Sequence, residues 1–142
     1  MGPLDLCGLE RSALLLRDTN PIVDWLDGRG SLADHFQPVF EKHAAGEVQF
    51  AITTVTIADV LTGPLRFGDE ALTARYRGIF ESWRVVDVTT AVAERAARLH
   101  ATQRLKPADA VQAASAFAIN ADALVTHNRD FERFGPRLRI IA

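Results

Sequence analysis

Two hydrophobic periods alternate along the chain. Short continuous apolar runs at residues 13–16, 48–53, 84–88 and 123–126 suit strands buried on both faces. Residues 138–141 offer a possible fifth strand. Between these runs the apolar residues recur at helical spacing. Asn20 and Pro21 read as N-cap and first helical residue of a helix carrying Ile22, Val23, Trp25 and Leu26, stopped by Gly28 and Gly30. Ser31 and Asp34 have capping-box spacing and open a helix with Leu32, Phe36, Val39 and Phe40 on its apolar face, ended by Gly46. A short helix is expected over residues 56–61, closed by Gly63-Pro64, and a longer one over residues 68–83. Thr89 or Thr90 caps the next, which carries Val92, Ala96 and Leu99. Lys106-Pro107 breaks that pattern and opens a helix over residues 107–119 that is apolar nearly all round and rich in alanine, so it is expected in the interior. Phe131 and Phe134 fall in a connecting turn. This alternation predicts an α/β fold with a four- to five-stranded, mostly parallel sheet and helices on both faces. All-helical and all-β arrangements leave the β-branched runs between periodic segments unexplained.

Composition narrows the reading only slightly. A length of 142 residues suits one domain spanning residues 1–142, with residues 1–12 as a loose extension before the first strand. A net charge of −2 gives no global attraction to nucleic acid, so such binding would need a local patch. Lys42 and Lys106 are the only lysines. Arginine's planar fork suits phosphate, although compositional bias explains the excess equally simply. The sole cysteine, Cys7, allows no internal disulfide and no cysteine-based zinc site, which fits a reducing, cytoplasmic setting. No apolar run approaches membrane-spanning length, and residues 1–10 lack the features of a secretory signal.

The chemistry-bearing residues sit at strand ends. Asp18 directly follows the first apolar run, at the mouth of a helix, where α/β proteins collect ligands. Asp59 lies near the start of the helix after the second strand, and Asp109 lies in the first turn of the alanine-rich helix. Each has a plain structural reading, as a turn acid, a capping acid or a dipole partner. Thr126, Asn128 and Asp130 supply further oxygen atoms after the fourth strand, where polar turn residues are also ordinary. The combination is what points to chemistry. Several carboxylates brought to one sheet edge cannot all stay ionised without a compensating charge, and Mg²⁺ or Mn²⁺ would provide it. His35, His43, His100 and His127 show no metal-binding spacing and read as ordinary surface or core residues.

Leu15-Leu16-Arg17-Asp18-Thr19-Asn20, Thr54-Val55-Thr56-Ile57-Ala58-Asp59-Val60, Pro107-Ala108-Asp109-Ala110 and Val125-Thr126-His127-Asn128-Arg129-Asp130-Phe131 together resemble the PIN-domain nucleases, in particular the VapC-type ribonuclease toxins of toxin–antitoxin pairs. The resemblance implies a PIN-like three-layer sandwich and a Mg²⁺- or Mn²⁺-dependent endoribonuclease. It also implies a homodimer held inactive by a cognate antitoxin. Asp18 matches the family's first acid and Asp109 its third, and these two are the expected metal ligands. Asp59 stands where the family usually has glutamate, and Asn128 where many members carry a fourth acid; both complete the expected catalytic set. Thr126, Asp130 and Asn20 are secondary candidates, and Arg66, Arg129 and Arg133 are candidate phosphate contacts. Arg17 departs from the usual apolar residue before the first acid. These departures keep open a second reading, a PIN-fold module that binds antitoxin or RNA with weakened chemistry. Two other magnesium–carboxylate classes fit poorly. In a receiver domain the lysine before proline ends a strand, whereas Lys106 ends a helical segment. A haloacid-type phosphatase would place an acid at position 20, where Asn20 stands.

Overall fold

The computed structural model describes residues 4–27 and 30–142. In chain order it comprises β1 (Ala13–Arg17), α1 (Thr19–Asp27), α2 (Gly30–Ala44), β2 (Val48–Thr53), α3 (Thr54–Arg66), α4 (Glu70–Glu81), β3 (Arg84–Val86), α5 (Thr90–Gln103), α6 (Pro107–Ala118), β4 (Ala123–Val125), a 3₁₀ helix (Arg129–Arg137) and β5 (Ile140–Ile141). The five strands form one sheet in the order β3-β2-β1-β4-β5, and every pairing is parallel. The chain therefore runs outward from β1 through β2 to β3, then returns to lay β4 on the other side of β1. That reversal leaves a crevice beyond the carboxyl ends of β1 and β4, the place where open parallel sheets bind ligands.

Side-chain alternation along β1 divides the core in two. Leu15 joins Phe36, Phe40, Phe50, Ile52, Phe80 and Trp83 in one cluster, and Leu16 joins Ala51, Leu124, Ala113, Phe131 and Phe134 in the other. The first lies under α1–α4 and the second under α5 and α6. Small side chains let α6 sit close to its neighbours: Ala110, Ala113, Ala114 and Ala116 are all buried. Leu4, Leu6 and Leu9, ahead of β1, pack partly against the first cluster, and Arg139 Nη2 donates to the carbonyl oxygens of Asp5 and Cys7. Among the described residues no helix is long and apolar enough to cross a membrane.

Several local expectations need correction. Helix α1 begins at Thr19, so Asn20 is not its N-cap; the Asp18 carboxylate instead accepts from the Thr19 N–H at 2.9 Å. The Asn20 side chain and the expected stop at Gly28 lie outside the described residues. Helix α3 does not close at Gly63-Pro64 but runs through it to Arg66. Pro64 falls in the last turn, where its missing N–H removes only one helical bond, and its ring is buried. Strands β3 and β4 are shorter than the apolar runs suggested. Phe131 and Phe134 sit in the 3₁₀ helix rather than in an open turn, and both are buried.

Arg17 is the least regular feature of the core. It is fully buried in β1, with its guanidinium 4.0 Å from the Phe40 ring centre and 4.6 Å from that of Phe50. None of its three side-chain nitrogens has a hydrogen-bond partner among the described residues. Burial lowers its pKa to about 9, against the opposing attraction of Asp18. His43 stacks on the Phe50 ring, and its pKa is lowered first by burial and then by the Arg17 charge.

Candidate active site

The strand order brings Asp18 and Thr126 together. The Asp18 backbone N–H donates to the Val125 carbonyl at 2.9 Å, which continues the β1–β4 ladder one step past the strand ends. Both carboxylate oxygens of Asp18 are held. Oδ2 accepts from Thr126 Oγ1 at 2.8 Å, and Oδ1 accepts from Gln112 Nε2 at 3.2 Å as well as from the Thr19 N–H. Gln112 is buried on α6, one turn beyond Asp109, and is itself fixed. Its Oε1 accepts from Thr53 Oγ1 at 3.1 Å, and its Nε2 donates to Thr56 Oγ1 at 2.8 Å. Thr53 also caps α3 by accepting from the Thr56 N–H. From Thr56 the network continues through Thr19 Oγ1 at 3.2 Å to Asp59 Oδ2, which accepts from Thr19 at 3.5 Å. Satisfied buried networks of this kind fix side-chain positions. Asp18 and Asp59, on different elements, are thereby tied to one scaffold of hydroxyl and amide groups.

Asp109 is linked to Asp18 by a second route. Asn128 Nδ2 donates to Asp109 Oδ2 at 3.1 Å, while the Asn128 N–H donates to Thr126 Oγ1 at 3.0 Å. Thr126 thus donates to Asp18 and accepts from Asn128. The amide oxygen of Asn128 accepts the Asp130 N–H at 2.9 Å and caps the 3₁₀ helix. Asn128 is therefore engaged on both sides as a positioning group. Asp130 lies 3.8 Å from Arg133 across an exposed pair.

A cleft of ≈ 410 Å³ is lined by Asp18, Thr19, Asp59, Asp109 and Gln112, with Val23, Val55 and Ala108 as its apolar lining. Burial raises the pKa of Asp109, the charges of Asp18 and Asp130 raise it further, and Lys106 and the Asn128 hydrogen bond oppose them. Burial is the larger cause and the neighbouring carboxylate charge adds to it; a hard divalent cation would offset both. Among the described residues no three acidic, histidine or cysteine side chains converge on one metal position. Mg²⁺ keeps several waters and needs only one or two carboxylates, so a cleft lined by Asp18, Asp59 and Asp109 suits it without a three-ligand cluster.

The raised pKa has a consequence for stability. The folded protein disfavours the ionised form of Asp109. The penalty is full above the folded-state pKa and disappears as pH falls through it toward the unfolded value. Asp109→Asn is therefore expected to melt at a higher temperature than the parent in EDTA at neutral pH, with the difference shrinking in acid. Thermal melts across pH measure this directly, and a lower melting temperature for the variant at neutral pH would contradict it.

The family model for the PIN domain matches residues 15–135, most of the chain. The chain belongs to the PIN-domain family. Solved structures show the same fold. A toxin–antitoxin complex from Klebsiella pneumoniae superposes with a TM-score of 0.70 at 24% identity, covering 90% of this chain and 96% of the matched one. VapBC2 from Rickettsia felis, crystallised with a DNA fragment from its promoter, gives a TM-score of 0.68 at 17% identity over 89% and 96% of the two chains. VapC20 from Mycobacterium tuberculosis, described as a sarcin–ricin loop cleaving toxin, gives 0.68 at 14% identity over 85% and 95%. No curated protein sequence matches significantly.

Within this PIN domain the expected acids Asp18, Asp59 and Asp109 line one cleft, Thr126 and Asn128 bridge two of them, and Asp130 stands outside the cleft lining. The sequence did not single out Gln112, Thr19, Thr53 or Thr56 as groups that hold the site. A faint signal existed for Gln112. It is one of only two polar residues between positions 110 and 118, and it follows Asp109 by three, which places both on one helical face. Arg129 and Arg133 are engaged with Glu132 and Asp130.

Proposed function

We propose that this PIN domain is a metal-dependent endoribonuclease and the toxin of a toxin–antitoxin pair. The observation that carries the reading is one cleft lined by Asp18, Asp59 and Asp109 at the sheet's reversal point in a chain of this family. Asp18 and Asp109 would hold Mg²⁺ or Mn²⁺, with Asp59 binding directly or through water. The metal, when bound, supplies Lewis-acid activation of water and neutralises charge developing on the phosphodiester oxygens. The chain's own groups do the positioning. Thr126, Gln112 and the Thr19 N–H fix both oxygens of Asp18, so little rearrangement is needed at the moment of reaction. Asn128 orients Asp109 and takes the place of a further charge that would add to the repulsion. Relatives of the same fold crystallised as toxin–antitoxin complexes, and one described as cleaving the sarcin–ricin loop, support RNA as substrate and an antitoxin as protein partner. A homodimer follows from the resemblance.

The test is incubation of purified, antitoxin-free protein with single-stranded and structured RNA after EDTA treatment, with and without added Mn²⁺. Cleavage that appears only with metal is the expected result. A second reading, a PIN-fold binding module, is favoured by one observation: no three potential ligands converge among the described residues. That module would bind antitoxin or RNA and leave the RNA intact at every metal concentration.

A further inference from the structure

The two flanks of the acidic cleft differ in charge. Beside Asp59 lies a groove of ≈ 270 Å³ between α1, α3 and α4, lined by Val23, Val60, Pro64 and Phe67 with Asp59 and Asp69 as its acids. Phe67 is 85% exposed at this groove. Such a wall offers a polyanion little attraction. The flank beside Asp109 is basic. Arg104 and Lys106 stand exposed on the turn between α5 and α6, and neither side chain makes a hydrogen bond or ion pair among the described residues. Lys106 lies close enough to Asp109 for its charge to act on that carboxylate. Arg133 Nη1 donates to the Gln103 carbonyl at 2.6 Å, which ties this turn to the 3₁₀ helix that carries Arg129 and Arg133. The acids beside these cations are Asp109, Asp130 and Glu132, the last two paired with Arg133 and Arg129, and Asn128 fastens the start of the 3₁₀ helix to Asp109. Arg104 adopts a left-handed backbone with φ 58, which ends α5 and starts the turn that carries Lys106.

We infer that Arg104 and Lys106 bind phosphates of the RNA strand next to the cleft, so that the strand enters over the α5–α6 turn and the 3₁₀ helix rather than over the α1–α3–α4 groove. The inference rests on the ribonuclease reading, and it names the face on which that substrate lies. The chemistry that recognises the strand is backbone charge, which fits a chain whose net charge of −2 gives no global attraction.

Binding measured without cleavage separates this inference from the nuclease reading. In an Asp18→Asn background, a fluorescein-labelled single-stranded RNA is titrated by anisotropy in Mg²⁺ at several salt concentrations. Each phosphate contact to a single strand contributes a slope of about 0.7 in log affinity against log salt, so Arg104→Ala with Lys106→Ala is expected to lower the slope by ~1.4. The charge-reversed pair Arg104→Glu with Lys106→Glu, equally exposed and outside the core, is expected to weaken binding further. Arg77→Ala, on the exposed face of α4, is expected to leave both affinity and slope unchanged. An unchanged slope in the double variant, a slope lowered instead by Arg66→Ala, or no RNA binding by the parent would each overturn the inference. Metal-dependent cleavage by wild-type protein in the same preparation would show that the nuclease reading survives such a result.

Discussion

Asp18→Asn is expected to abolish most metal-dependent RNA cleavage while the protein stays folded. Asp18 is the one cleft acid with both oxygens fixed, by Thr126 on one side and by Gln112 and the Thr19 N–H on the other. An amide keeps the shape but removes the charge. It also turns one acceptor into a donor facing groups that are already donating. Thr126 Oγ1 accepts from Asn128, so its hydroxyl can turn to receive the new N–H only by sharing that acceptor. Such a mismatch costs roughly 1–3 kcal/mol of stability, which a domain of this size tolerates. Losing a preorganised charged group at the reacting centre costs roughly 10²–10³-fold in rate or more. Single-turnover cleavage with saturating Mn²⁺, alongside a circular dichroism melt, measures both. Cleavage within threefold of wild type by a folded variant would contradict the assignment.

Arg17→Met is expected to stabilise the protein by about 1–4 kcal/mol, the range seen when buried ion pairs are replaced by well-packed apolar side chains, since this lone buried charge carries the same kind of desolvation cost. Three guanidinium nitrogens with no hydrogen-bond partner carry a desolvation cost. The Phe40 and Phe50 rings beside the guanidinium return roughly 0.5–2 kcal/mol. Methionine would keep the aromatic contacts and remove the charge. The sign of the pH dependence distinguishes this account from simple repacking. The folded-state pKa of about 9 lies below the ordinary arginine value, so above pH 9 the unfolded chain binds more protons than the folded one. Wild-type stability then gains with rising pH relative to the variant, and the gap between them narrows. Paired denaturant titrations near neutrality and in alkali would show it. A destabilised variant, or a gap that widens with pH, would contradict it.

The contrast between these two residues explains what sequence could and could not convey. Asp18 was readable because an acid at the end of an apolar run is a local pattern with a topological meaning. Asp59 followed by the same logic, since the helix after β2 begins at that edge; Asp109, on a helix that follows another helix, was marked by its place at the start of an apolar segment, where a carboxylate needs a partner. Hydrophobic period with cap and turn signals conveyed a four- to five-stranded, mostly parallel sheet with its helices, and the structure makes it five-stranded and wholly parallel. Arg17 was not readable, because the rings that receive it belong to α2 and β2 and no local pattern announces them. Gln112 was hidden for a related reason: its partners Asp18, Thr53 and Thr56 are gathered only when the sheet forms. Pro64 misled because a local breaker signal was outweighed by burial of its ring in the last turn of α3. Local patterns specify elements, and the groups that tune a site come from elements distant in the chain.

The central claim is that Asp18 and Asp109 together make a divalent-cation site in the cleft. Calorimetric titration of EDTA-treated protein with Mn²⁺ tests it most directly, comparing wild type with Asp18→Asn and Asp109→Asn. The account predicts a saturable isotherm for wild type and its loss in both variants. No binding to wild type at millimolar Mn²⁺, or the same isotherm in all three proteins, would contradict it.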